Sequence, residues 1–170
     1  MSRPAPADRI DSLLAYVESI YPERDLTAKS VAWRLRRAAH YVDTEIKRGL
    51  APLGMEMWEL EILAGIRRYG GTVTMGQLQD IAQLTSGAIT NRVARLERDG
   101  YVQRDVDAVD RRQVLVTLTP IGRERAEQVI DVNQRVEEEI FAAVDRDLQV
   151  RLAGDLRQLL LATEGPDPRA

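Results

Sequence analysis

The sequence predicts a mainly α-helical fold with one small β-hairpin, which places it in the α+β class. Along most of the 170 residues, apolar side chains recur at spacings of three and four, the period of an amphipathic helix. Two short runs rich in valine and leucine, 101–106 and 113–119, bracket the charged turn 107–112 and predict the strands of a hairpin. The length suits a single unit.

Two helices are predicted in the first 50 residues. The first covers 7–20 and ends before Pro22. Its apolar stripe consists of Ile10, Leu13, Leu14, Val17 and Ile20. Thr27 can cap the second helix, which continues with helical period to about Gly49. Each stripe needs an apolar surface to pack against.

Three shorter helices are predicted before the hairpin. The first of them covers 55–69 and stops at Gly70. Two amphipathic segments follow, 74–84 and 86–98, and the turn between them is so short that they predict a helix-turn-helix. The hairpin then makes this region a winged helix-turn-helix, with 75–119 as its candidate functional segment.

Two long helices are predicted after the hairpin. Pro120 opens the first, over 121–144, and the second covers 145–162. A flexible tail, 164–170, ends the chain. The two helices carry more apolar residues than such a pair can bury alone, so we expect a partner chain to cover them. These residues are Val129, Val132, Val136, Ile140, Val144, Leu148, Leu152, Leu156, Leu159 and Leu160.

The composition argues against several classes of site. There is no cysteine, so disulfides and thiolate ligands are excluded, and one histidine, His40, does not make a metal cluster. No nucleophile and base set can be assembled, and no phosphate-binding glycine loop is present. We therefore expect no enzyme, no catalytic residue, no cofactor and no metal.

The net charge bears on whether the protein binds nucleic acid, and the N-terminal segment bears on where the protein is located. The 24 basic and 27 acidic residues leave a net charge of −3, which by itself does not indicate nucleic-acid binding. The electrostatic field that attracts DNA depends on where the charges lie, so the charges of individual segments are more informative than their sum. The N-terminal apolar residues are interrupted by Asp11, Tyr16 and Glu18, and no run has the length of a membrane span. We expect a cytoplasmic protein without a membrane partner.

The segment 86–98 suits a helix that reads DNA. Its apolar positions Ile89, Val93 and Leu96 form a buried stripe and leave small and polar residues on the other side. Small residues let the backbone approach DNA, Asn suits adenine, and Arg suits guanine or phosphate. The candidate contacts are Thr85, Ser86, Gly87, Ala88, Thr90, Asn91 and Arg95. Taken alone, the same segment could also be an ordinary solvated helix face.

The turn 107–112 suits a wing that enters a minor groove. Adjacent arginines on a short exposed turn, here Arg111 and Arg112, are attracted by narrow A·T tracts. Asp110 would repel DNA unless it is paired, so we interpret it as the residue that positions Arg112. Without the preceding helix-turn-helix, a solubilising turn would be the simpler interpretation.

These motifs resemble the MarR family. The resemblance rests on Thr85-Ser86-Gly87-Ala88-Ile89-Thr90-Asn91-Arg92-Val93-X-Arg95-Leu96-Glu97, then Gly100-Tyr101-Val102, Asp110-Arg111-Arg112 and Leu118-Thr119-Pro120-X-Gly122. It implies a homodimer whose terminal helices interlock, with each winged helix on a half-site of a palindromic operator. Such proteins are usually repressors that a small-molecule effector releases from double-stranded DNA.

The resemblance also implies a division of the chain. An extra N-terminal helix, 1–24, would pack on the dimerisation region, and 25–54 would form a dimerisation helix. The DNA-binding lobe would be 55–119, and 120–163 would contain the C-terminal dimerisation helices before the tail 164–170.

The extra N-terminal helix is similar to the urate- and citrate- or aconitate-responsive branch of the family. In that branch a tryptophan, an acidic residue and two arginines line a pocket for an anionic ligand. The matching positions here are Tyr16, Glu59, Arg92 and Arg104. Tyr replaces the tryptophan and Glu replaces the usual Asp, so the ligand is not specified. Arg92 could equally contact a phosphate or pair with Glu97 or Glu59.

Other features have simpler interpretations. His40 is more often surface or pocket lining than a metal ligand, and Trp33 and Trp58 are typical core or pocket aromatics. One alternative function belongs to another class, a winged helix that binds proteins rather than specific DNA. Against it, Gly87, Asn91, Arg95, Arg111 and Arg112 are the groups that DNA requires on one surface.

Overall fold

The computed structural model describes residues 7–166 and divides the chain into two compact units, one up to Glu45 and one from Ile46 onward. The boundary lies inside a long helix. The finer division of the chain expected from the sequence, with segments ending at residues 24, 54, 119 and 163, stays a prediction. Part of the predicted tail, 167–170, lies outside the described residues.

The first unit contains helix α1 (Arg9–Ile20) and most of helix α2 (Thr27–Leu50). Asp8 caps α1, because its carboxylate accepts hydrogen bonds from the backbone N–H groups of Ile10 and Asp11. Thr27 is the first residue of α2 and not its cap. Asp25 takes that role, since its Oδ1 accepts from the Thr27 N–H at 2.9 Å.

Arg34 of α2 joins the two helices of this unit. Its Nε lies 2.8 Å from Asp8 Oδ2, and its Nη2 donates to Asp11. This guanidinium lowers the pKa of Asp8 below its ordinary value. Ile10 is the buried apolar residue of α1, whereas Leu13, Tyr16 and Ile20 are exposed on the single chain.

The second unit begins with the end of α2 and a 3₁₀ turn, Ala51–Leu53, closed by Gly54 in the left-handed region at φ 65°. Helix α3 (Met57–Arg68) starts two residues later than predicted. Strand β1 (Thr72–Thr74) follows, then α4 (Met75–Ala82) and α5 (Ser86–Arg98). The two strands of the predicted hairpin are β2 (Val102–Val106) and β3 (Val114–Leu118).

Strand β1 was not predicted. It pairs antiparallel with β3, with Val73 opposite Val116, so the sheet of the described residues has the order β1-β3-β2. Thr74 both ends β1 and caps α4, since its Oγ1 accepts from the Gln77 N–H at 3.1 Å. The segment 74–84, predicted as helix throughout, is therefore partly strand.

The helices after the sheet are α6 (Pro120–Phe141) and α7 (Arg146–Glu164). Thr119 caps α6 and Asp145 caps α7. The first ends three residues earlier than predicted, and the second extends two residues further. None of the described residues of α7 is buried, and its leucines Leu148, Leu152, Leu159, Leu160 and Leu161 are exposed.

The core of the second unit lies between α3, α4, α5, α6 and the inner face of the sheet. Its fully buried side chains are Leu50, Ile62, Leu63, Ile66, Val73, Leu78, Ile89, Val93, Leu96, Val116, Leu118 and Val129. The observed architecture is therefore the predicted one: mainly α, with a small antiparallel sheet whose β2–β3 hairpin forms a wing behind a helix-turn-helix.

Candidate nucleic-acid interface

Helix α5 is anchored by its apolar stripe and opened by a cap. Ile89, Val93 and Leu96 are fully buried, as predicted. Thr85 caps the helix, because its Oγ1 accepts from the Ala88 N–H at 3.4 Å. The stripe turns the opposite face of α5 outward, so the polar residues between the buried positions are available to a partner.

The outward face of α5 combines open space with unused hydrogen-bonding groups. A Cβ built on Gly87 would meet no atom within 4 Å, so nothing stands over the helix at this point. Asn91 is exposed and makes no side-chain hydrogen bond to another described residue. Thr90 is exposed and donates its hydroxyl proton to the carbonyl of Ser86 at 2.8 Å, so its hydroxyl oxygen can still accept a hydrogen bond.

The wing tip is held by two aspartates. Asp107 Oδ1 accepts from the N–H groups of Val109 at 2.7 Å and Asp110 at 3.3 Å, and Asp107 N donates to the Gln113 carbonyl. Val109 at the apex is 97% exposed. The backbone between the strands therefore has a defined turn, from which Arg111 and Arg112 project into solvent.

Asp110 contacts Arg112 as a positioning residue would. Its Oδ1 accepts from both the backbone N–H and the Nε of Arg112, each at 3.1 Å. This contact, followed by one from Gln113, lowers the pKa of Asp110, so the carboxylate is ionised at neutral pH. The positive charge of Arg112 is thus partly balanced while its guanidinium stays exposed.

Arg95 lies between α5 and the start of α3. Its Nη1 donates to Glu56 Oε1 at 2.9 Å, and its guanidinium carbon is 5.1 Å from the ring centroid of Trp58. Hydrogen bonds from Arg95 and Trp58 lower the pKa of Glu56. The Arg95 side chain is still 43% exposed, so these contacts fix the arginine without burying it.

Arg92, three residues before Arg95, also contacts Trp58. Its guanidinium carbon is 5.4 Å from the Trp58 ring centroid, and its Nη1 is 3.9 Å from Glu61 Oε2. Its carboxylate partner is therefore Glu61, whereas the sequence suggested Glu97 or Glu59. Glu59 itself is 4% exposed and accepts from the Glu56 N–H at 2.7 Å, which closes the first turn of α3.

Arg104 of β2 is paired with helix α5. Its Nε lies 2.9 Å from Glu97 Oε2, and its backbone N–H donates to Glu97 Oε1 at 3.2 Å. The pairing lowers the pKa of Glu97 and raises that of Arg104. Helix α5 is therefore tied to α3 through Arg92 and Arg95, and to the wing through Glu97.

Tyr16, the remaining ligand candidate, belongs to the first unit, where it is 67% exposed. That unit has a cavity of about 580 Å³ between α1 and α2, and Tyr16 is not among its lining residues. The cavity is lined by Asp8, Arg9, Ile10, Arg34, Arg37, Ala38, His40, Tyr41 and Thr44. His40 thus lines a pocket, one of the two roles its sequence context suggested.

Three residues of this region were not singled out as site residues in the sequence. Glu56 stands where a helix cap is usually Ser, Thr, Asp or Asn, and Trp58 reads as an ordinary core aromatic. Arg98 follows Asn91 by seven residues, two helical turns, and its side chain is 74% exposed. Only the position of Arg98 could have been found from helical spacing.

The described part of the chain contains no candidate metal site and no candidate membrane-spanning helix. Across residues 7–166, no group of three His, Cys, Asp or Glu residues is placed to hold a metal ion. In the same range, no helix combines the length and the apolar character needed to cross a membrane.

Comparisons with known proteins converge on one family. Residues 53–113 match the MarR family model. The multiple antibiotic resistance protein MarR of Salmonella typhimurium is 29% identical over 118 residues, 69% of this chain and 79% of that protein. The HTH-type transcriptional regulator YdcH of Bacillus subtilis is 31% identical over 75 residues, 44% of this chain and 51% of YdcH. That second match spans about half the length of the relative.

One similar solved structure contains operator DNA. A cysteine-to-serine mutant of MarR from E. coli, crystallised with operator DNA, has a TM-score of 0.71 and 26% identity. The likeness covers 81% of this chain and 99% of that one. The family match and the observed winged helix-turn-helix agree with these relatives, so the chain is similar to the DNA-binding transcriptional regulators of the MarR family.

Proposed function

We propose that this protein is a transcriptional regulator of the MarR family, a homodimeric repressor that binds a palindromic operator through α5 and the wing. The observation that supports this most is the outward face of α5, where Gly87 leaves room for DNA and Asn91 has unused hydrogen-bonding groups. A helix of this kind reads base edges with its N-terminal half. The wing arginines Arg111 and Arg112 would enter the neighbouring minor groove.

The proposed contacts differ in what they supply. Asn91 and Arg95 would read or flank base edges, while Thr85 and the first N–H groups of α5 would receive a phosphate. Arg112, held by Asp110, would supply a directed positive charge in the wing. The full proposed set is Thr85, Ser86, Gly87, Ala88, Thr90, Asn91, Arg95, Arg111 and Arg112, with Asp110 as the positioning residue.

The exposed apolar surface of α7 supports the homodimer. Leu152, Leu159 and Leu160 are each more than one third exposed on the single chain. An apolar stripe of this length along a terminal helix is a typical protein interface. A second copy covering it would also place two recognition helices on one duplex, as a palindromic operator requires.

Binding of selected duplex DNA tests the proposal. The protein would be used to enrich sequences from a random duplex library, and affinity for the enriched site would be measured by fluorescence anisotropy. We expect a palindromic consensus, and we expect Asn91→Ala to weaken binding to it while leaving the thermal unfolding midpoint unchanged. If no sequence is enriched and Asn91→Ala has no effect, the alternative of a protein-binding winged helix is favoured.

We further propose that a small anionic or aromatic effector relieves DNA binding, with Tyr16, Glu59, Arg92 and Arg104 as the candidate residues. The support lies in Arg92, which is on the recognition helix itself. An anion that replaced Glu61 as its partner would act directly on α5, and the effector would then lower DNA affinity by linkage.

Effector screening tests this second part. Thermal shifts would be measured with urate, citrate and phenolic acids, since a ligand selective for the native state raises apparent stability. We expect Arg92→Ala to reduce both the thermal shift and the release from DNA. A wild-type response in Arg92→Ala and in Glu59→Ala would show that the effector binds elsewhere, without affecting the DNA-binding proposal.

A further inference from the structure

One contact between α3 and α5 involves a proposed DNA-contacting arginine and two residues that have no assigned role. Arg95 donates to Glu56 at 2.9 Å and stacks on Trp58 at 5.1 Å, and both partners come from the first turn of α3. Trp58 is also within 5.4 Å of Arg92, so one indole ring faces two guanidinium groups of the recognition helix.

The geometry leaves most of the Arg95 guanidinium available. An arginine has five N–H donors, and the recorded hydrogen bond to Glu56 uses the Nη1 group. The side chain is 43% exposed, so donors that Glu56 does not use remain open to solvent. An arginine side chain loses much rotamer entropy when it is fixed. Contacts that fix it before DNA arrives remove that loss from the binding step.

We propose that Glu56 and Trp58 are positioning residues that hold Arg95 in its DNA-binding orientation. This inference rests on the proposed function, in which Arg95 contacts DNA. Glu56 would act on Arg95 as Asp110 acts on Arg112: an ionised carboxylate directs an exposed guanidinium. Trp58 adds a flat surface that a hydrogen bond alone does not provide, and its contact with Arg92 orients α5 at a second point one turn away.

A double-mutant cycle tests the positioning role. Trp58→Leu changes no charge and removes the stacking surface, and Glu56→Gln removes the charge of the hydrogen-bonding partner. Each is made in the wild-type chain and in Arg95→Ala, and affinity for the enriched duplex is measured. We expect each change to weaken binding by about two- to fivefold per half-site in the wild-type chain, the size of exposed ion-pair and cation–π contacts.

In the Arg95→Ala background Glu56→Gln should cause no further weakening, because its target is gone. Trp58→Leu should weaken binding less than it does in the wild-type chain, since only its contact with Arg92 remains. Arg95→Ala itself should lower the salt dependence of binding by about one phosphate equivalent if the arginine contacts the backbone. Glu127→Gln is the matched control: it removes an exposed ion pair with Arg67, between α3 and α6, and should leave DNA affinity unchanged.

Three results would overturn the inference. Tighter binding of Glu56→Gln would show that Glu56 competes with DNA for Arg95. Equal weakening with and without Arg95 would show an effect on the fold alone, and unchanged affinity in both variants would show that no positioning is needed. Failure of the proposed function is distinguishable, because Asn91→Ala would then have no effect on DNA affinity either. Asn91 forms no hydrogen bond or ion pair with Glu56 or Arg95, so its substitution leaves their contact in place.

Discussion

Asp110 Oδ1 accepts two hydrogen bonds from Arg112, one from its backbone N–H and one from its guanidinium, both at 3.1 Å. Both bonds end on the same oxygen, so the position of the side chain is tied to the position of the backbone in the wing turn. Arg112 and Gln113 lower the pKa of Asp110, so its carboxylate stays ionised to a lower pH than that of a free aspartate.

Replacing Arg112 should affect DNA binding more than folding. We expect Arg112→Ala to weaken operator binding strongly and to lower the slope of log affinity against log salt by about one phosphate equivalent. The free energy of unfolding should stay within about 0.5 kcal/mol of wild type, because the side chain is exposed. Gel-shift titrations at several salt concentrations measure the slope.

A matched control for the wing is Arg36→Ala, which removes an exposed arginine from α2 and should leave the salt slope unchanged. Unchanged affinity of Arg112→Ala across the salt series would show that the wing does not contact DNA in the proposed way. DNA binding through α5 would then be tested by Asn91→Ala alone.

The sequence predicts those parts of the fold that are determined by residues close together in the chain. The buried stripe of α5, the capping position of Thr85 and the two strands beside the charged turn each follow from spacing within a few residues. Strand β1 does not. It has three residues, too few to show alternation, and its partner Thr117 lies 45 residues after Thr72.

The same distinction separates the parts of the candidate site. Asp110 and Arg112 are two residues apart, so their pairing could be anticipated from the turn. Glu56 and Arg95 are separated by 39 residues, and only the tertiary fold, in which α4 packs against both α3 and α5, brings them together. The residue types do not predict this pairing, since exposed glutamates and arginines occur throughout the chain.

Gly122 is required by the close approach of α6 to the base of the wing. A Cβ at this position would lie 1.8 Å from the carbonyl oxygen of Tyr101, so the backbone would have to move. We expect Gly122→Ala to lower the free energy of unfolding by about 1–3 kcal/mol, the range of overpacked cores. Urea unfolding followed by circular dichroism measures the difference.

The matched control is Gly154→Ala in the middle of α7, where a new Cβ would meet nothing within 4 Å. This change should raise the free energy of unfolding by up to about 1 kcal/mol, because alanine is the better helix former. If both variants are equally stable, the contact between α6 and Tyr101 does not have the proposed effect.

The exposed leucines of α7 predict an interface whose loss can be measured directly. Leu152 and Leu159 follow each other by seven residues on one side of the helix, and Leu160 is 52% exposed beside them. We expect wild type to have the mass of two chains in light scattering. Leu159→Asp should raise the dissociation constant of the dimer by more than about a hundredfold, because two buried leucines are lost and two charges are introduced.

Gln158→Asp introduces the same charge at the neighbouring position and should leave the dimer intact. DNA affinity should fall together with dimerisation in Leu159→Asp, because a monomer contacts one half-site and loses the gain from simultaneous binding of two. A wild-type chain that is monomeric at micromolar concentration would contradict the proposed homodimer. A Leu159→Asp variant that remains dimeric would instead place the interface on another surface of the chain.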